Sequence, residues 1–377
     1  MPHIAERELE LPDAIIGKLI SLLHDKRVIS LGAGEPDFDL PKPLVAYLKR
    51  IANKTNKYSP PGGIPELKIA IAKKLRKENR IHAEPENIVV TGGSQEALLL
   101  AAACALDVGE QAIVPNPSFL AYLPTVELLS AAPVFADTAA STGWELDPDE
   151  VRRRIDKKKT KVLIINTPGN PTGNVLKRKT LEELADIAVD NDLYMFSDEA
   201  YEKIIYGKKH VSIASLNGME RYAVTFQTFS KSYAMCGFRL GYCAAPPKLA
   251  AAITKIHVYT SICAPTVSQM LGIKALSLPE KYTSAMVTEY RKRRDYIVKR
   301  LNETGLRTVK PEGAFYAFAH VGKDDRRFAF DLLKKAHVAV VPGSEFGTAG
   351  KGYIRLSFAT KLPLIKQAMD RMERFVR

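Results

Sequence analysis

Short apolar, β-rich runs alternate with helical patterns through the first two-thirds of the chain, and this alternation restricts the possible folds more than any other feature. The runs lie at 88–91, 111–114, 161–165, 193–196 and 222–226. Each is followed by polar or glycine-rich residues, which argues for an α/β fold built on a mostly parallel sheet. In open sheets of this kind, ligands bind outside the carboxyl ends of the strands. The polar residues just after these runs therefore carry the functional weight.

From about residue 279 the pattern changes. Residues 280–303 read as one long charged helix, and 313–318, 338–341 and 353–358 read as strands of a smaller α+β unit. The chain's 377 residues suit two domains. The expected division is an N-terminal arm or part of the small domain over 1–44, a large domain over 45–278 and a small C-terminal domain over 279–377. The longest apolar run, 97–106, is about half the roughly 20 residues that a membrane span needs, so a buried helix is expected there. The first residues show no basic stretch leading into an apolar core, and a cytoplasmic protein is the expectation. Four cysteines at 104, 236, 243 and 263 form no Cys-x-x-Cys pair, so neither a disulfide framework nor a metal site is expected. The net charge of +13 includes the basic runs 152–154, 157–159 and 291–294. No nucleic-acid-binding motif accompanies them, so they read as solvated helix faces, while the surplus charge would draw anionic substrates inward.

Five strings follow the strand candidates. Thr91-Gly92-Gly93-Ser94-Gln95-Glu96 opens a helix, where glycines and free N–H groups favour an anion such as phosphate, although a plain turn is also compatible. Phe119, after the second run, is an aromatic that either stacks on a planar ring or packs in the core. Asn166-Thr167-Pro168-Gly169-Asn170-Pro171-Thr172-Gly173 is a rigid turn that would hold an Asn amide in one orientation. Ser197-Asp198-Glu199-Ala200-Tyr201 sets a carboxylate and a phenol three residues apart at a strand end, where an Asp also serves as a helix cap. The fifth string runs from Thr228 through Phe229-Ser230-Lys231 to Arg239. A lysine ending an apolar strand is costly unless used or paired. Beside hydroxyls and a guanidinium it reads as a combined Schiff-base and anion site.

At this point the chain resembles the class I/II aminotransferases of the fold-type I pyridoxal-phosphate family. The resemblance extends over nearly the whole chain, through Leu31-Gly32-Ala33-Gly34-Glu35-Pro36-Asp37-Phe38, the string from Lys57-Tyr58-Ser59 to Leu67, Asn-Pro-Thr-Gly at 170–173, Ser-Lys at 230–231, Pro342-Gly343-Ser344-Glu345-Phe346-Gly347 and Arg355. It implies a large domain with a seven-stranded sheet, a smaller α+β domain, and pyridoxal 5'-phosphate as cofactor. It also implies roles: Lys231 carries the cofactor, Asp198 pairs with its ring nitrogen, Tyr201 and Asn170 bond its phenolic oxygen, and Phe119 stacks on its face. Gly93, Ser94, Gln95, Thr228 and Arg239 bind the phosphate. Tyr58 reaches the phosphate of a neighbouring subunit, so a homodimer with shared sites is implied. Arg355 grips the substrate α-carboxylate with help from the backbone at Gly34.

The expected activity is transamination between an amino acid, aspartate or aromatic first and alanine behind, and a 2-oxo acid such as 2-oxoglutarate. The helix after the glycine pair has no basic residue over 97–106, which weakens the aspartate reading. A β-lyase, synthase or decarboxylase on the same fold shares these motifs. A non-catalytic regulator built on the fold is the remaining alternative, but the residues ahead of Gly32 are too few for a DNA-binding module.

Overall fold

The computed structural model describes residues 25, 27–216 and 218–377. The first 24 residues of the expected arm lie outside them. The strands are β1 (Ile29–Ser30), β2 (Ile88–Thr91), β3 (Gln111–Asn116), β4 (Ala132–Asp137), β5 (Thr160–Asn166), β6 (Tyr194–Asp198), β7 (Ala223–Thr228), β8 (Gly241–Ala244), β9 (Tyr316–His320), β10 (Val338–Ala339), β11 (Val341–Pro342) and β12 (Tyr353–Ser357).

Seven of them form the central sheet in the order β2-β8-β7-β6-β5-β3-β4. All run parallel except β8, which is antiparallel to both neighbours. The apolar runs are nearly continuous because helices cover both faces. In β5, Val162 and Ile164 pack with the helices Ser94–Ala105 and Pro247–Thr260 on one side. Leu163 and Ile165 pack with Arg178–Asp190 on the other. The helix over the long apolar run buries Ala97, Leu98, Leu100, Ala101 and Ala102, and no helix of the described residues is long and apolar enough to cross a membrane.

A second apolar core gathers β9, β12 and the helices Lys281–Glu303, Asp325–Ala336 and Leu362–Val376. The sheet there has the order β11-β12-β9, and β1 pairs in parallel with β10. Ile29 and Leu31 from the N-terminal side, and Tyr201 and Ile204 from the segment after β6, belong to this core as well.

Two elements differ from the sequence expectation for local reasons. The strand expected from 313 begins at Tyr316, because Ala314 turns the chain with a φ of 54°. The single strand expected over 338–341 divides into β10 and β11, which pair with different partners. The expectation did not include β4, which is only half-buried, or β8.

The turn after β5 is locked to the segment that leads into β9. Gly173 O accepts the N–H groups of Glu312 at 2.8 Å and Gly313 at 2.9 Å. Gly173 has a φ of 70°, and a Cβ there would stand 2.9 Å from Gly313 O. Gly173→Ala should lower the unfolding free energy by about 1–3 kcal/mol, read by urea titration; an unchanged midpoint would show that this turn tolerates a side chain.

Candidate active site

The carboxyl ends of β5, β6 and β7, the start of the helix Ser94–Ala105 and the face of β12 enclose a cavity of about 430 Å³, within the range of small-molecule sites. Gly34, Ser94, Gln95, Phe119, Asn170, Asp198, Tyr201, Thr228, Lys231, Arg239 and Arg355 all line it. A groove of about 1200 Å³ opens beside it past Gln95, Phe119 and Arg239, with Leu120, Leu123, Phe135 and Phe346 in its walls.

Asp198 ends β6. Its Oδ2 accepts the hydroxyl of Tyr122 at 2.7 Å and its Oδ1 the N–H of Ala200 at 3.1 Å. Burial raises its pKa above the ordinary carboxylate value, and the Tyr122 hydroxyl pulls the other way. Behind it, Asn166 at the end of β5 donates to the carbonyl of Asp198 at 3.0 Å and accepts the N–H of Asn170 at 2.7 Å, which ties the two strand ends together.

Lys231 follows β7 in the short helix Phe229–Ser232, which Thr228 caps by accepting the N–H of Ser230. Lys231 Nζ donates to Gly34 O and stands 5.9 Å from the ring centroids of Tyr201 and Phe315. The Tyr201 hydroxyl lies 2.8 Å from that of Tyr316 on β9.

Arg355 on β12 is 2% exposed. Its Nη1 donates to Asn170 Oδ1 at 3.1 Å and its Nη2 to Gly32 O at 2.7 Å, while Nε has no hydrogen-bond partner. Its guanidinium lies 4.4 Å from the Tyr316 ring centroid and 4.9 Å from that of Phe346. Burial pulls its pKa down, and no carboxylate of the described residues pairs with it. The N-terminal loop is thus divided: Gly32 O serves Arg355 and Gly34 O serves Lys231.

The opposite end of the cavity is built for an anion. Gly93 precedes the helix Ser94–Ala105 with a φ of 108°, and no side chain caps that helix, so its first N–H groups face outward. Arg239 lies against Gly93: a Cβ there would meet Arg239 Nη2 at 2.8 Å. A helix N-terminus, a guanidinium and the hydroxyls of Ser94, Thr228 and Ser230 together suit a phosphate. Tyr58 does not line this cavity and is 81% exposed.

The family model for "Aminotransferase class I and II" matches residues 26–372. An aspartate aminotransferase of Pyrococcus abyssi is 45% identical over 360 residues, which cover 93% of this chain and 92% of that protein. Aromatic-amino-acid aminotransferase 2 of Thermococcus litoralis is 43% identical, covering 96% and 95%. The crystal structure of an aromatic aminotransferase from Pyrococcus horikoshii superposes with a TM-score of 0.90 at 44% identity, covering 95% and 98%. The chain belongs to the class I and II aminotransferases. It is a pyridoxal-phosphate-dependent enzyme that transfers amino groups. An amine, a buried carboxylate and an anion cradle around one cavity fit that cofactor.

Two residues that bond groups of the aminotransferase site are not marked by the sequence. Tyr122 lies three residues after Phe119 and is fully buried, and in sequence nothing separates it from a core aromatic. Tyr316 stood inside a strand pattern. Only the fold brings Tyr122 to Asp198 and Tyr316 to Tyr201 and Arg355. Tyr122→Phe should raise the pKa of Asp198 further and weaken cofactor binding about tenfold. Because the carboxyl then protonates at a higher pH, cofactor affinity should fall away at a higher pH on acidification than in the parent. Coincident affinity–pH profiles would remove Tyr122 from this role.

Proposed function

We propose that this enzyme transfers the amino group of aspartate or an aromatic amino acid to a 2-oxo acid such as 2-oxoglutarate. The observation that carries the substrate reading is Arg355, a buried guanidinium in the cavity with no carboxylate partner. A charge held that way is costly until an anion answers it, and an α-carboxylate does so through two parallel hydrogen bonds.

Pyridoxal 5'-phosphate, when bound, supplies a ring that draws off the electrons left at Cα as its proton departs. Asp198 holds the proton on the ring nitrogen. Its pKa, raised by burial, falls back once a cation faces it. Gly93, Ser94, Gln95, Thr228 and Arg239 hold the phosphate, Phe119 covers the ring face, and Tyr201 and Asn170 bond the phenolic oxygen. Lys231 would carry the cofactor, and its amine, held beside the substrate's Cα, would take and return the proton.

Tyr58 would serve a second copy of the chain. Its loop is pinned from behind: Thr266 donates to Lys57 O at 2.7 Å, Gln269 to the Ser59 hydroxyl at 2.6 Å, and His257 Nδ1 lies 2.8 Å from Pro61 O. An exposed phenol on so firmly held a loop suits insertion into a partner's phosphate end, giving a homodimer with shared sites. Arg355 stands on the smaller sheet and Lys231 beside the larger one, so substrate carboxylate would draw the proposed large (45–278) and small (279–377) domains together.

The apolar walls of the adjoining groove favour an aromatic side chain, and the names of the relatives favour both aromatic and aspartate substrates. An absorbance spectrum of the cofactor-loaded protein decides between them. Aspartate, tyrosine or phenylalanine should bleach the cofactor's visible band, and 2-oxoglutarate should restore it; a band that none of them bleaches would overturn the substrate assignment. Lys231→Ala should lower kcat at least about a thousandfold while leaving the fold intact by circular dichroism. Arg355→Ala should raise KM for the amino acid on the order of a hundredfold with cofactor affinity near that of the parent. Equal losses in both would move Arg355 out of the substrate site.

A further inference from the structure

The residues after Asp198 and before Thr228 are polar, buried and outside the cavity. Asp198 and Thr228 line it; their neighbours Glu199 and Gln227 do not, and are 0% and 3% exposed. Alternation along a strand sends neighbouring side chains to opposite faces. Two ion pairs meet on that hidden side. Glu199 accepts hydrogen bonds from Ser197 at 3.0 Å and Ser212 at 2.6 Å, and lies 2.9 Å from His210 Nε2. Glu202 pairs with the ammonium of Lys74 and accepts from Asn79 at 2.6 Å and Gln227 at 2.8 Å. Lys74 also donates to Asn79 Oδ1 at 2.9 Å and to Gln227, whose Oε1 takes the Tyr242 hydroxyl too.

So many ionised groups out of water are expensive, and apolar packing would serve bare stability as well. Burial opposes protonation of His210, but the Glu199 carboxylate beside it prevails and raises its pKa above the ordinary histidine value. Burial likewise works against the ionised Glu202, and Lys74 prevails there, lowering its pKa. Glu199, Glu202 and His210 bring ligand-type atoms within 4.8 Å of one another, the spacing of a metal site, but the Lys74 ammonium already supplies a cation.

What the cluster grips is one turn. Glu199 N–H bonds Phe226 O at 2.9 Å and Glu202 N–H bonds Glu199 O at 3.0 Å. From the same turn Asp198 and Tyr201 face the cavity. Side chains on the hidden side are therefore clamped while those between and beside them do the chemistry. Both carboxylates and the Lys74 ammonium are bonded within the network, and only His210 Nδ1 lacks a partner; such a polar network restricts the turn, whereas apolar contacts would let it slide.

We propose that the Glu199–His210 and Glu202–Lys74 pairs are positioning residues of the cofactor site, fixing the turn 198–202 so that the Asp198 carboxylate and the Tyr201 phenol keep set places beside Thr228. The proposal rests on the cofactor roles given above to Asp198 and Tyr201.

The test uses the cofactor-loaded protein and reads pyridoxal-phosphate affinity, the visible circular dichroism of the bound ring, and thermal stability. His210→Phe should weaken cofactor affinity about tenfold and diminish the visible dichroism. His210→Gln, which retains an N–H for Glu199, should recover most of both. Ser212→Ala, which removes one bond to Glu199, provides a gentler variant should His210→Phe fail to fold, with a smaller change in the same direction. A lower melting temperature with parental affinity and dichroism in these variants would reduce the cluster to a structural role and overturn the proposal. Asp198→Asn and Tyr201→Phe in the same assay keep the two readings apart. If these leave cofactor binding intact, the cofactor roles fail; if they weaken it and the His210 and Ser212 variants do not, only the positioning role fails.

Discussion

A charge taken out of water must be answered by something, and the carboxyl edge of the central sheet is arranged around that demand. Asp198, Arg355, Glu199, Glu202 and Lys74 are all withdrawn from solvent in one region. Those on the hidden side of β6 and β7 are answered there: Lys74 pairs with Glu202, and His210 lies against Glu199. Those facing the cavity are not. Asp198 has only a phenol and one backbone N–H, and Arg355 only an amide and a carbonyl. The unanswered charges on the cavity side match the two ends of the chemistry assigned to it, a ring nitrogen that holds a proton and a substrate carboxylate.

The two apolar cores meet where that chemistry is held. Tyr201 leaves the end of β6 yet buries its ring against Phe315 and Tyr316 of the smaller unit. Asn170 leaves the end of β5 and bonds Arg355 on β12. Gly32 and Gly34 cross over both, one carbonyl on each cation. Each contact spans large separations in sequence, so the cavity exists only once both cores have formed. Any shift of one unit against the other changes the distance between Lys231 and Arg355, the two groups proposed to serve a single amino acid.

Polar groups that bind by their backbone are set by exclusion of side chains. At the anion end, Gly93 leaves room for the Arg239 guanidinium. Arg239 itself takes a φ of 47°, a left-handed conformation costly for a non-glycine residue, and such strain is held where the surroundings over-determine it. Gly93 also occupies the cap position of the helix that begins there, so no side chain caps the first N–H groups and they are left for an anion.

The parallel architecture was legible in the chain alone, since runs such as β5 are apolar on both faces only when helices cover both. The sequence also set the candidate groups Asp198, Asn170 and Lys231 at or within four residues of strand ends, and a lysine closing an apolar run is costly unless used or paired. Arg355 and Tyr58 were legible through motif resemblance alone; nothing local separates a buried arginine from a solvated one. Tertiary structure decided the rest. It put Tyr122 on Asp198 and Tyr316 between Tyr201 and Arg355, contacts between segments 76 and 115 residues apart in the first two cases. It also gathered Lys74, Asn79, Glu199, Glu202, His210 and Gln227 into one network. In sequence those residues look like ordinary surface polar groups. Partnership between distant side chains leaves no periodic trace in a chain, and burial, which makes such partnership obligatory, is settled only when the layers close.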